Sequence, residues 1–226
     1  GDHKYNERVA KDFPNRLKSG TNAPDAVALY RKILAAQPDG SVTVVATGPL
    51  PNIAALLASA PDAASPLDGA ALVKKKARLL VVMGGQYPSG KEWNFEQDGA
   101  AAKKVCEAWP TPAVFSGGEV GAPIQTGARR GKETPPENPV RTAYELYNGP
   151  GKNRSSWDQT AMWYAIRGEA GLFKLSPEGT IAVASNGKND WKAEAGGRHR
   201  YLIKAVPDAE IAKAIEDLML RPPKKR

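Results

Sequence analysis

Arg78-Leu79-Leu80-Val81-Val82-Met83, broken by Gly84-Gly85, is the stretch on which the fold turns. After Arg78 it holds no polar residue. A strand with one wet face would alternate, so an unbroken apolar run of this length reads as a strand covered on both faces. Residues 41–47, with Val42, Val44 and Val45, predict a second buried strand. Residues 112–116 predict a third, ended by Gly117-Gly118. Helical patterns lie between them. Residues 23–37 place Val27, Tyr30, Ile33 and Leu34 on one apolar face, with Asp25 at the favourable end. A helix follows from Asn52, a short one covers residues 71–76, and Asp98 caps one over residues 98–108. Strands alternating with helices are the signature of βαβ units. The fold class is therefore α/β, a Rossmann-like open, mostly parallel sheet flanked by helices.

The second half is more helical. Helices are expected over residues 139–147, 156–166 and 207–220, the middle one with Ala161, Met162, Tyr164 and Ala165 as core positions. Residues 180–184 and 201–204 read as short strands in a peripheral hairpin or edge pair. There is no internal repeat and no long linker, so residues 1–226 read as a single domain with a basic tail at 221–226.

Composition removes several classes. The 226 residues are 41 % hydrophobic and 25 % charged, the balance of a globular chain rather than a disordered one. No apolar run approaches the roughly 18–20 residues of a spanning helix. Cys106 is the only cysteine, and His3 and His199 the only histidines, which excludes a disulfide scaffold and Cys/His zinc sites. One cysteine suits the cytoplasm and export alike. The net charge of +8 raises nucleic-acid binding as a rival reading. The basic residues are scattered, however, with small clusters at Lys74-Lys75-Lys76, Arg129-Arg130 and the tail, and no nucleic-acid motif accompanies them.

Gly85 to Lys91 fits the phosphate-loop pattern G-x-x-x-x-G-K after a strand, but Glu92 stands where a metal-ligating Ser or Thr belongs. Its carboxylate would repel phosphate, and Pro88 interrupts the backbone N–H groups. More informative are three polar clusters at predicted strand or helix ends, where ligands of open α/β sheets bind. They are Thr47-Gly48, Glu92-Trp93-Asn94 and Ser156-Trp157-Asp158-Gln159. Each has a plain explanation alone: a strand end, a solvated loop packed around Trp93, a carboxylate in a helix's first turn.

Taken in order, the clusters resemble the inosine–uridine-preferring nucleoside hydrolase family. Residues 42–54, containing Thr47-Gly48-Pro49-Leu50-Pro51-Asn52-Ile53-Ala54, resemble its strand–turn–helix T-G-P-L-T-N-I-A. Val82-Met83-Gly84-Gly85, then Glu92-Trp93-Asn94 and Asp98, resemble its V-M-G-G, E-F-N and D-P-E-A-A segments. Trp157-Asp158-Gln159-Thr160-Ala161 resembles its late [HW]-D-x-x-A element. The match runs from about residue 20 to 205.

The resemblance implies hydrolysis of the N-glycosidic bond of a ribonucleoside at a single Ca²⁺, which holds the sugar hydroxyls and the attacking water. Thr47 would offer the ion its main-chain carbonyl. Asp158 would offer a carboxylate and meet a ribose hydroxyl. Glu92 and Asn94 would bond ribose hydroxyls, and Met83 would line the sugar pocket. Trp157 stands where many members carry a His acid, and a Trp there stacks on the base, which favours purine nucleosides. Members commonly form dimers or tetramers, so a homo-oligomer is expected, with no nucleic-acid or membrane partner. The family's N-terminal D-x-D-x-G-x-D-D has no counterpart, since the early acids Asp2, Glu7, Asp12 and Asp25 lack that spacing. Pro51 also replaces a Thr, and the segment from Gly85 to Glu92 is short and lacks an Asn. The polar start Gly1-Asp2-His3-Lys4-Tyr5-Asn6 then reads as an N-terminal truncation that removes the first strand and most of the metal site. Such a chain is expected to be inactive alone. A non-catalytic ligand-binding module on the same scaffold is the alternative.

Overall fold

The computed structural model describes residues 5–16 and 19–222, so most of the basic tail lies outside the described residues. The chain divides into two compact units interleaved in sequence. The larger comprises residues 24–121 and 157–205; the smaller comprises the segment before residue 24, residues 122–156 and the segment after residue 205. The strands among the described residues are β1 (Val42–Ala46), β2 (Ala77–Met83), β3 (Ser89–Gly90), β4 (Ala113–Ser116), β5 (Gln125–Thr126), β6 (Arg154–Ser155), β7 (Phe173–Leu175), β8 (Gly179–Val183), β9 (Asn189–Ala193) and β10 (His199–Lys204).

The larger unit is an α/β sheet of order β1-β2-β4-β10-β8-β9-β3, with β7 also on β10. From β1 to β10 the neighbours run parallel. Beyond β10 the pairing turns antiparallel. The apolar run behaves as its composition demands. Leu80 and Val82 face a core shared with Leu56, Val73, Val105 and Phe115. Val81 and Met83 face the other way, against Ala161 of the helix Trp157–Arg167 and beside Trp157 and Tyr164. Burial on both faces is what removed polar residues from this strand. Aspartates begin three helices of this unit: Asp25, Asp68 and Asp98 accept the Ala28, Ala71 and Ala101 N–H groups at 2.8, 2.8 and 2.9 Å.

Three expectations fail for identifiable reasons. The strand ending at Lys204 is not peripheral but internal, between β4 and β8. Its antiparallel neighbours are β8, expected as a strand, and the three-residue β7, while β9 beyond β8 was hidden because it reads Asn189-Asp190-Trp191-Lys192-Ala193, without β-branched residues. Met162 is 44 % exposed, because Ala161, Tyr164 and Ala165 form the i, i+3, i+4 stripe on the sheet and Met162 lies about 100° away. Ile33 is 51 % exposed, whereas Arg31, at 2 %, takes the inward place. Its guanidinium pairs with Asp62 at 2.8 Å and donates to the carbonyls of Ser65 and Leu67, closing the loop before the helix Gly69–Lys76.

In the smaller unit the helix Tyr5–Asp12 packs on Pro139–Asn148, with Tyr5 edge-on to Tyr147 at 5.6 Å. β5 pairs with β6, and the buried Glu216 of the helix Asp208–Met219 accepts the N–H groups of Gly127 and Arg129. Among the described residues no helix is long and apolar enough to cross a membrane.

Candidate functional site

β1, β2 and β4 run parallel, so Thr47, Gly84 and Gly117 follow their carboxyl ends on one edge of the sheet. Backbone bonds lock the last two loops together: Gly84 N–H donates to Ser116 O at 3.1 Å, and Gly118 N–H to Gly85 O at 2.9 Å. The start of the helix Trp157–Arg167 is held at the same edge. The buried hydroxyls of Thr160 and Ser116 lie 2.7 Å apart, and Thr160 donates to Trp157 O at 2.7 Å. A hydroxyl has one proton, so Ser116 is the donor to Thr160. Gly121 lets the helix approach, since a Cβ there would lie 2.4 Å from Trp157 Cα. Trp157 is thereby packed, half-buried, on the cluster that includes Met83, and Asp158 follows it at an exposed place in the first helical turn.

Glu92 and Asn94 do not sit in a loop. Glu92 is the N-cap of a short helix, Trp93–Gln97. Its Oε1 accepts Asn94 N–H at 2.9 Å, and its Oε2 accepts Gly85 N–H at 3.1 Å and Phe95 N–H at 3.4 Å. Burial pushes this carboxyl above its usual range, and the three N–H groups only partly oppose that. Asn94 is buried and its amide donates to Met83 O at 3.0 Å, which ties the helix to the end of β2. Trp93 is 62 % exposed, so the packed-loop expectation fails. Phe95 is the buried aromatic, edge-on to Phe115 at 6.4 Å, and Trp93 is left on the outer side of the turn.

Met83, Glu92 and Asn94 are thus bonded into one cluster, and Trp157 packs beside Met83. Thr47 is exposed beyond the end of neighbouring β1. The phosphate-loop pattern is filled from within. The consecutive N–H groups of Gly85, Gln86 and Tyr87 donate to Glu92 Oε2, Asn189 Oδ1 (2.8 Å) and Glu119 Oε2 (3.2 Å). Glu119 and Asn189 escaped the sequence reading. Glu119 had a signal, its place directly after Gly117-Gly118 at a strand end, while Asn189 lies far along the chain in a segment without strand character.

A family profile described as inosine-uridine preferring nucleoside hydrolase matches residues 4–214. The chain belongs to this family. Solved structures of nucleoside hydrolases share its fold. A plant nucleoside hydrolase, the PpNRh1 enzyme, superposes with a TM-score of 0.66 at 15 % identity, over 99 % of this chain and 75 % of its own. The inosine-uridine preferring nucleoside hydrolase of Bacillus anthracis gives 0.62 at 18 %, over 88 % and 66 %. The purine-preferring ribonucleoside hydrolase of Gardnerella vaginalis gives 0.65 at 17 %, over 94 % and 70 %. This chain therefore spans about two thirds to three quarters of their lengths. Among curated proteins no sequence matches it.

Nucleoside hydrolases are metal-dependent enzymes acting on small-molecule nucleosides. The described residues do not make a tight metal site. Among the described residues no group of three or more His, Cys, Asp or Glu side chains could hold an ion. The Asp158 carboxylate and the Thr47 carbonyl, the ligands the resemblance assigns, fall well short of the roughly 6–8 oxygens that a hard cation such as Ca²⁺ gathers.

Proposed function

We propose that this nucleoside hydrolase domain recognises a purine ribonucleoside at the carboxyl ends of β1, β2 and β4. The observation that carries the reading is the packing of Trp157 beside Met83, with Asp158 next in the helix's first turn. In this reading the Trp157 ring stacks on the base, a contact that a two-ring purine rewards more than a pyrimidine. Asp158 accepts from a ribose hydroxyl. Glu92 has about four acceptor positions, of which three are taken by N–H groups, so one remains for a sugar hydroxyl. Met83 and Asn94 give that edge its shape.

The reaction proposed for a nucleoside hydrolase holding its full ligand set is cleavage of the N-glycosidic bond to free base and ribose, with Ca²⁺ as the ion. Asp158 and the Thr47 carbonyl are proposed ligands, too few to bind it alone, so the 226-residue chain by itself is expected not to turn over.

Calorimetric titration of inosine and uridine into the chain tests recognition, and base release with Ca²⁺ supplied tests turnover. Inosine should bind more tightly than uridine, with no base released. Equal or tighter uridine binding overturns the purine preference, and chelator-sensitive inosine hydrolysis overturns the expected inactivity. Binding of neither nucleoside overturns recognition itself.

A further inference from the structure

Glu119 has no role in the reading above, yet it sits at the centre of the strand-end edge. It lies in the short helix Gly118–Gly121, directly after β4. Its carboxylate folds back over Gly117, where a Cβ would lie 2.3 Å from Oε2 and 2.4 Å from Oε1. Oε2 accepts the Tyr87 N–H at 3.2 Å. The Tyr87 ring is 6 % exposed and stacks on Tyr201 of β10, with centroids 5.0 Å apart and planes 10° from parallel. Gly118 is enclosed from the other side: a Cβ there would lie 3.2 Å from Glu92 Cγ and 3.2 Å from Gln86 Oε1. Glu119 and Glu92 therefore grip one short segment at Tyr87 and Gly85, with Asn189 holding Gln86 between them.

We propose that Glu119 is a positioning residue for the nucleoside site. By holding the Tyr87 N–H it fixes the path of residues 84–89, and with it the Gly85 N–H against which the Glu92 carboxylate is aimed. The proposal rests on the nucleoside reading for its purpose, but not for its geometry. The Tyr87 N–H needs an oxygen and not a charge, so a glutamine at 119 should serve while an alanine should not. Three groups of differing requirement (two carboxylates and an amide) share one segment, and loss of one loosens the others because a side-chain network couples its members.

The test is amide hydrogen exchange at Gly85 and Tyr87, together with inosine titration, in the wild-type chain, Glu119→Ala and Glu119→Gln. In Glu119→Ala both amides should exchange about tenfold faster or more, and inosine binding should weaken by a similar factor. Glu119→Gln should restore both. Should Glu119→Ala fail to fold, Glu119→Asp carries the same expectation, since its shorter arm cannot reach the Tyr87 N–H. A folded Glu119→Ala in which Gly85 stays protected and inosine binds as before overturns the proposal. So does Glu119→Gln behaving like the alanine variant. If wild type binds no inosine while both amides respond as expected, the nucleoside reading falls and the grip of Glu119 on the segment stands.

Discussion

Replacing Glu92 by Ala separates a group that merely faces the site from one that builds it. The carboxylate is the N-cap of the helix Trp93–Gln97 and also bonds Gly85 at the end of β2. Loss of an N-cap costs about 1 kcal/mol. Leaving the Gly85 N–H without its acceptor between two packed strand ends adds about 1–3 kcal/mol. Removing a half-buried charge returns part of this, since burial holds the carboxyl above its usual range. The net expectation is a loss of about 2 kcal/mol at pH 7, read from urea unfolding followed by far-UV circular dichroism. The pH dependence gives a second reading. The folded-state pKa lies above the unfolded one, so the folded state binds the proton more tightly, and the Glu92 contribution grows as pH falls through the folded value towards about 4.5. The deficit of Glu92→Ala should therefore be smallest at neutral pH and increase on acidification. A variant within about 0.5 kcal/mol of wild type at pH 7, the range of an inconsequential surface change, would refute the view of Glu92 as the clamp between β2 and the helix.

His199 should make the fold acid-sensitive in the opposite sense. Burial and then Arg198 lower it to about 4, and its Nδ1 accepts the Ile181 N–H at 3.0 Å, which a protonated ring cannot do. Its contribution is whole above the unfolded value of 6.5 and is lost as pH falls towards 4, amounting to about 2 kcal/mol by pH 5. The stability difference between wild type and His199→Gln should shrink by that amount between pH 7 and pH 5, and an unchanged difference in denaturant midpoints would count against it. Gly121→Ala would drive a Cβ to 2.4 Å from Trp157 Cα, a backbone atom with nowhere to go. It should cost about 1–3 kcal/mol and shift the emission of Trp157, whereas an unperturbed variant would mean that the helix does not depend on this approach.

The parallel half of the fold was legible because its signals are local. The run after Arg78 announced two covered faces, and Asp25 and Asp98 announced helix starts through bonds made three residues on. What escaped depended on phase or on distant partners. Met162 and Ile33 are apolar, and only the direction from which the sheet or neighbouring helices approach leaves them outside. Trp93 and Phe95 are two aromatics two positions apart, of which a five-residue helix buries one and exposes the other. Met83, Glu92, Asn94, Trp157 and Asp158 were singled out through the family resemblance, and the fold places Met83, Glu92 and Asn94 in one bonded cluster with Trp157 packed beside Met83. Their working hydrogen bonds were not legible, because Glu92 and Asn94 read as free polar groups and prove to be anchored to backbone.

The segment after β2 makes the limit of motif reading concrete. Its sequence satisfies a phosphate-loop pattern, and its backbone does present consecutive N–H groups. Whether such groups bind an external anion depends on what else reaches them. Here Gly85 is taken by a residue 7 positions away, Tyr87 by one 32 positions away and Gln86 by one 103 positions away. Two of those three partners are carboxylates, so the segment already holds the anions it would otherwise recruit. A phosphate could enter only by displacing them, against the repulsion of both. The nucleoside reading proposed above suits this edge, because a neutral, hydroxyl-bearing ligand meets no such repulsion.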